Sequence, residues 1–249
     1  MFLSVIIPAY KEKDRLGRTL LEIEEHLSKK DFEYEIIVVI DGSPDNTAEV
    51  ARNYSSQVNG LRVIENKENH GKGYVVRQGL LEAKGKYQLF MDADGSTSIT
   101  HVDVFLPEIE KEKFDVVIGS RDIKGSYVAI HQPKYRELMG DMGNWLIRFT
   151  LGLWAYPDTQ CGFKMITKEA SREVANRMKV ERFGFDFEFI VLAKKLGFGI
   201  KQMPVRWLNE TGSTVSLLGP NGFVQVLIDL VKTRSRLCLG SYHLYSKNK

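Results

Sequence analysis

The feature that most constrains this chain is an alternation of short apolar, β-rich runs with helical periods through its first half. Leu3 to Ile7 reads as a buried strand, after which Leu16, Leu20, Ile23 and Leu27 recur at helical spacing. Glu35 to Ile40 is a second strand. Ser43 followed by Pro44 predicts an N-cap and a first-turn proline for a short helix through Ala51. Leu61 to Ile64 is a third strand, Gly73 to Ala83 a helix, and Tyr87 to Met91 a fourth strand. A helix near His101 to Lys111 and a fifth strand, Phe114 to Ile118, complete the series. Strands alternating with helices imply an α/β fold with a mostly parallel central sheet, flanked by helices on both faces. Right-handed crossovers then gather the strand-to-helix loops on one edge, which is where such sheets bind ligands.

The second half changes character. Tyr135 to Leu153 is apolar and helix-like and carries Trp145, Phe149 and Trp154; Lys168 to Met178 and Phe185 to Leu196 are further helices. Ile200 to Val205 is a strand. A last amphipathic helix, 221–237, shows apolar residues at Phe223, Val226, Leu227 and Leu230. Neither linker nor repeat interrupts the chain, so residues 1–249 are expected to form a single domain. With 35 Lys and Arg against 32 Asp and Glu, the formal net charge of +3 gives no support for a nucleic-acid partner. Two cysteines, Cys161 and Cys238, make neither a disulfide framework nor a metal spacing and suit a reducing compartment. The N-terminus lacks the pattern of a signal peptide, and no apolar run is long enough to span a bilayer. The basic residues Lys232, Arg234, Arg236, Lys247 and Lys249 suit either solvent or anionic lipid head groups.

Polar groups stand at the end of every strand of the first half. They are Pro8-Ala9-Tyr10-Lys11-Glu12, Asp41-Gly42-Ser43, Asn69-His70-Gly71-Lys72-Gly73, Asp92-Ala93-Asp94 and Gly119-Ser120-Arg121. Gly71-Lys72-Gly73 is not a Walker loop, which needs Ser or Thr after its lysine. A dinucleotide fingerprint is broken at Val76. Asp92 and Asp94 are more telling. In an extended segment, residues i and i+2 project to one side, so both carboxylates can face one ion. Two hard oxygen ligands leave positions for water and substrate phosphate, which is how Mg²⁺ or Mn²⁺ is usually held. Without a cation, two carboxylates this close repel.

These residues carry a resemblance. Val5-Ile6-Ile7-Pro8-Ala9-Tyr10-Lys11-Glu12, Asp41-Gly42-Ser43 and Asp92-Ala93-Asp94 resemble the inverting glycosyltransferases of family 2, which have the nucleotide-diphospho-sugar-binding GT-A fold. Asp158-Thr159-Gln160-Cys161-Gly162-Phe163-Lys164, Val180-Glu181-Arg182-Phe183 and Phe185-Asp186-Phe187-Glu188 look most like the dolichyl-phosphate β-glucosyltransferase branch among the polyprenyl-phosphate sugar synthases. The resemblance implies that Pro8, Ala9, Tyr10 and Glu12 lie against the base and ribose, and that Asp41 accepts a hydrogen bond from the base. It implies that Asp92, with Ala93 beside it, holds ribose or metal-bound water, that Asp94 ligates the divalent ion, and that Lys72 approaches the sugar or diphosphate. Arg121 and Arg136 match arginines that hold the acceptor phosphate; Asp158, Gln160 and Asp186 would line the sugar or acceptor pocket. Asn209 and Thr214 stand where mannosyl relatives place a diphosphate Arg and Lys, and Ile40 and Ser96 also depart from wider family patterns.

The implied activity is transfer of glucose from UDP-glucose to a polyprenyl phosphate of the dolichyl type, giving a β-linked lipid-phosphate sugar. The implied cofactor is Mg²⁺ or Mn²⁺. Glucosyl relatives carry an N-terminal membrane helix that is not found here, so peripheral attachment to the cytoplasmic face of a membrane through amphipathic helices is expected. Other readings stay open: GDP-mannose as donor, a glycan hydroxyl as acceptor with Asp186 as base, or a protein that binds nucleotide sugar without catalysis. Arg121 and Arg136 also suit surface ion pairs, and Asp186 and Glu188 suit a helix cap. Trp145, Phe149 and Trp154 suit either a core or a lipid interface.

Overall fold

The computed structural model describes residues 1–111, 113–129, 134–208 and 222–244; the side chains of 134–139 and 223 lie outside that description. Nine strands and eight α-helices are resolved within it: β1 (Leu3–Ala9), α1 (Leu16–Leu27), β2 (Tyr34–Asp41), α2 (Thr47–Asn53), β3 (Leu61–Asn66), α3 (Lys72–Glu82), β4 (Tyr87–Phe90), α4 (Val102–Glu110), β5 (Val116–Ser120), β6 (Tyr127–Val128), α5 (Lys134–Leu151), β7 (Lys164–Thr167), α6 (Lys168–Arg177), α7 (Phe185–Lys195), β8 (Ile200–Pro204), β9 (Arg206–Trp207) and α8 (Phe223–Cys238). Seven strands form one sheet in the order β3-β2-β1-β4-β7-β5-β8, while β6 and β9 pair separately.

The sheet is mostly parallel, as its β-branched runs imply. Only β7 runs against its neighbours, pairing antiparallel with both β4 and β5. Period-two side chains divide between two cores. Leu3, Val5 and Ile7 of β1 face α1, α2 and α4, with Leu16, Leu20, Ile23, Val102 and Phe105 among the residues they join. Ile6 of β1 and Ile37 and Val39 of β2 face the other layer, where α3, α6 and α7 contribute Val76, Val174 and Phe189. All of these core side chains are essentially inaccessible to solvent.

One expectation fails and one strand went unforeseen, each for a local reason. The helix after β2 starts at Thr47 rather than behind Ser43, and Asn46 precedes it without a side-chain cap. Asp45 accepts bonds there from the Thr47 backbone N–H (3.2 Å) and hydroxyl (2.5 Å). Ser43 instead bridges loops: its hydroxyl donates to Asp45 (2.6 Å) and accepts from the Lys11 N–H (2.8 Å). The unforeseen strand is β7, which four residues form in a stretch with no strand pattern of its own. Its register, Phe90 opposite Lys164, starts it where β4 ends. An antiparallel strand begins at the edge where its parallel neighbours finish, so residues 158–163 are delivered to the loop-bearing edge.

Candidate active site

At that edge lies a cleft of about 430 Å³, lined by Pro8, Ala9, Tyr10, Glu12, Asp41, Lys72, Asp92, Ala93 and Asp94. Every residue expected against a nucleotide sugar therefore meets in one place. Ligand pockets commonly run from about 300 to 1,000 Å³, so the volume suits such a molecule. Lys11, Asn69 and Gly71, which the sequence places on this rim without a role, also line it, as do Arg15, Val75, Arg182 and Phe183, which the sequence reading did not place there.

Each wall is braced by hydrogen bonds. Arg15 grips Glu12 with two parallel bonds, 2.8 and 2.7 Å, and the Glu12 N–H donates to the Thr47 hydroxyl (2.9 Å). Burial raises the Glu12 pKa, and Arg15 opposes the rise. Asp41 is buried and already accepts from the Asn69 amide (2.9 Å) and from the N–H groups of His70 (2.8 Å) and Gly71 (2.9 Å). A carboxylate offers about four lone-pair sites, which leaves room for one further donor. Gly71, at φ 113°, and Gly73 open α3 against the segment before α7; a Cβ would lie 2.5 Å from the Glu181 carbonyl oxygen or 2.4 Å from that of Val180.

Asp92 and Asp94 both reach the cleft, but not by the extended geometry expected of them. The backbone turns, with the Gly95 N–H directed to the Asp92 carbonyl (3.4 Å) and Gly95 at φ 71°. The Thr19 hydroxyl holds the Ala93 carbonyl (2.8 Å), and Asp94 Oδ1 accepts the Ser96 N–H (2.9 Å). Asp92 Oδ1 pairs with Lys72 Nζ at 2.5 Å. Gly162 packs so closely that a Cβ there would stand 2.2 Å from Asp92 Oδ2. Among the described residues no group of three or more His, Cys, Asp or Glu side chains could hold a metal ion. Two carboxylates on an open cleft do fit a hard divalent ion that keeps water and takes substrate oxygens. The lysine already standing against Asp92 shows that this spot accommodates positive charge.

Arg121, Asp158, Gln160 and Asp186 do not line the cleft. Arg121 and Asp158 pair with each other through two bonds of 2.8 and 2.9 Å, and the Arg121 backbone N–H adds a third at 2.9 Å. The Arg121 guanidinium also sits 5.5 Å from the Trp207 ring centroid. Burial pushes the Asp158 carboxyl up, but the Arg121 charge and hydrogen bonds bring it below the ordinary range. Gln160 is exposed, with its N–H donating to Asp158 (3.1 Å). Asp186, in the first turn of α7, is buried and ion-paired with Lys164, itself fully buried. Burial raises its pKa, against opposition from Lys164 and Lys72. The Arg136 side chain, on α5, lies outside the described ones, as do Asn209 and Thr214. Glu188 is no surface cap: it accepts from the Lys179 and Val180 N–H groups (3.0 and 2.9 Å) and the Tyr242 hydroxyl (2.6 Å).

Comparison with known proteins decides the family. The model for Glycosyl transferase family 2 matches residues 4–175. This chain belongs to glycosyl transferase family 2. It is 36% identical to a dolichyl-phosphate beta-glucosyltransferase of Dictyostelium discoideum, over 99% of this chain and 78% of that protein. It is 35% identical to one of Drosophila melanogaster, over 99% and 78%. The fold matches glucosyl-3-phosphoglycerate synthase from Mycobacterium tuberculosis, solved with Mn²⁺, uridine-diphosphate and glucosyl-3-phosphoglycerate. The TM-score is 0.67 at 20% identity, covering 94% of this chain and 80% of that one. The α/β architecture is thus the GT-A fold.

The Arg121–Asp158 pair gives a stability prediction. Replacing Asp158 with Ala strands a largely buried guanidinium and should cost about 3 kcal/mol in urea denaturation at pH 7. Because the folded pKa of Asp158 is depressed, its contribution is complete above the unfolded value of about 3.9 and fades as pH falls through the folded one. The stability gap between wild type and Asp158→Asn should therefore hold steady at higher pH and close only in acid.

Proposed function

We propose that this chain, acting as one domain, transfers glucose from UDP-glucose to a dolichyl-type polyprenyl phosphate. In-line attack would invert the donor and give a β-linked lipid-phosphate sugar. The observation that carries the reading is the cleft itself: Asp92 and Asp94 share it with the base- and ribose-side residues Pro8, Tyr10, Glu12 and Asp41. Relatives named for dolichyl-phosphate glucosylation match almost the whole chain.

Asp92 and Asp94 would hold the divalent ion, which when bound supplies positive charge against the departing diphosphate. Tyr10, Glu12 and Asp41 orient the nucleoside. Arg182, which also lines the cleft, offers a guanidinium that among the described residues makes no ion pair, and its fork suits diphosphate oxygens. A phosphate acceptor is already an anion near neutral pH, so positioning and charge neutralisation suffice and no general base is needed. Asp186 supports this acceptor class over a hydroxyl. It is buried, held by Lys164, and does not line the cleft. Its proposed role is to position. Arg121, steadied by Asp158, and Arg136 are assigned to the acceptor phosphate.

The acceptor is a lipid, and the protein exposes surfaces that suit one. Trp145, Phe149 and Trp154 are 54%, 61% and 49% exposed; Trp145 and Phe149 stack, and Trp154 meets both edge-on. Val224, Ile228 and Val231 are exposed on α8, which packs against α5. No helix among the described residues is long and apolar enough to cross a membrane. We assign these two helices to peripheral docking on a cytoplasmic membrane face.

Purified protein incubated with labelled UDP-glucose, Mg²⁺ and a polyprenyl phosphate should carry label into organic solvent. Asp94→Ala should lower that rate by about a hundredfold or more. Label moving only from GDP-mannose, or only into water-soluble glycan, would contradict the assignment. In liposome flotation with anionic lipid, combined Ala substitution of Trp145, Phe149 and Trp154 should weaken binding by about tenfold or more; unchanged flotation would remove α5 from the membrane interface.

A further inference from the structure

The charged groups of the cleft are mostly neutralised within the protein. Glu12 is clamped by Arg15, and Asp41 accepts from one side-chain amide and two backbone N–H groups. Asp92 is taken by Lys72. Asp94 differs: its Oδ1 accepts one backbone N–H, and among the described residues its Oδ2 accepts nothing. Of the two carboxylates suited to a divalent ion, one is open and the other is occupied by a cation of the chain.

Lys72 is built for that position. It is the first residue of α3, whose start is locked by the close approach of Gly71 and Gly73 to 180–182 and by the Tyr74 N–H bonded to the Glu181 carbonyl at 3.0 Å. Its backbone is fixed, whereas its four-carbon stem is flexible. The ammonium feels Asp92, Asp186 and Asp94 together and lies 5.9 Å from the Phe185 ring centroid.

An ammonium and a divalent cation repel each other and compete for the same oxygen. Binding an ion across Asp92 and Asp94 therefore requires Lys72 to swing away, and among the described residues the other carboxylate near it, Asp186, is already paired with Lys164. A nucleotide diphosphate supplies another anion. We propose that Lys72 is a resident counter-cation that blocks Asp92 until nucleotide diphosphate arrives, so that ion and nucleotide enter as a coupled pair. This rests on the cleft being the nucleotide site described above. Lys72 exchanges a carboxylate for a phosphate partner, and the charge brought by the ion is offset by that of the diphosphate. Coupling of this kind is reciprocal: the factor by which UDP tightens the ion equals the factor by which the ion tightens UDP.

The test is a Mn²⁺ titration followed by the electron paramagnetic resonance of free Mn²⁺, with and without UDP, on wild type, Lys72→Met and Lys72→Arg. Wild type should bind Mn²⁺ weakly alone and about tenfold or more tightly with UDP. Lys72→Met should bind Mn²⁺ alone about tenfold more tightly than wild type and show a much smaller effect of UDP. Lys72→Arg, which keeps the charge, should stay weak without nucleotide. Lys72→Gln makes the same comparison should the Met variant fail to fold. Equal nucleotide-free Mn²⁺ affinity in wild type and the neutral variants would overturn the proposal, as would no Mn²⁺ binding in any of them with UDP present. Neither sugar nor acceptor enters the titration. A wrong sugar or acceptor assignment leaves its expected result unchanged, while intact glucosyl transfer beside equal Mn²⁺ affinities sinks this inference alone.

Discussion

The carboxylate of Asp92 is the group around which the cleft is arranged. It stands at the end of β4, in the middle of the sheet, beside a second carboxylate and near a third, Asp186. Negative charges gathered this closely and partly removed from water must be neutralised, or one of them will take a proton. Two segments far apart in sequence answer to that demand. Lys72 brings an ammonium from the start of α3, Lys164 neutralises Asp186 from within β7, and Gly162 leaves out the side chain that would collide with Asp92.

Topology explains how these segments meet. Parallel strands β1, β2 and β4 all end at one edge, so their loops converge without any long connection. The reversed strand β7 adds to that edge from the opposite direction, bringing the Asp158–Phe163 run to the side of Asp92. Its first residue, Lys164, then closes the ion pair with Asp186 while donating to the Cys161 carbonyl at 2.5 Å. Beyond the cleft the segment 178–184 is held from both sides. Glu188 fixes its start, and Asp229 of α8 accepts the Gly184 N–H (3.3 Å). The wall that carries Arg182 and Phe183 is thereby tied to the helix assigned to the membrane surface.

Most of this was legible in the chain itself, and the exceptions have physical reasons. Long β-branched runs such as Glu35 to Ile40 declare both their strands and the loop that follows, so residues after β1, β2, β3 and β4 were expected on the edge where the cleft lies. β7 was hidden because four residues beginning with a lysine carry no alternation to read, and only the resemblance of Asp158 to Lys164 to known family members marked the stretch. The pairing of Asp92 with Asp94 was anticipated from extended geometry, yet a turn closed at Gly95 does the work. Arg182 and Phe183 escaped notice as cleft residues because they follow a helix rather than a strand, where the edge rule gives no signal. Trp145, Phe149 and Trp154 have the same composition whether in a core or on a surface, and only packing could separate the two.

The central claim is that Asp92 and Asp94 together receive a divalent ion alongside a nucleotide diphosphate. Anomalous diffraction from a crystal grown with Mn²⁺ and UDP-glucose tests it most directly. The expected result is one strong manganese peak in contact with both carboxylates and with the diphosphate, and Lys72 turned from Asp92 toward phosphate oxygen. Manganese bound elsewhere, or nucleotide outside the cleft formed by Tyr10, Asp41 and Arg182, would contradict the account.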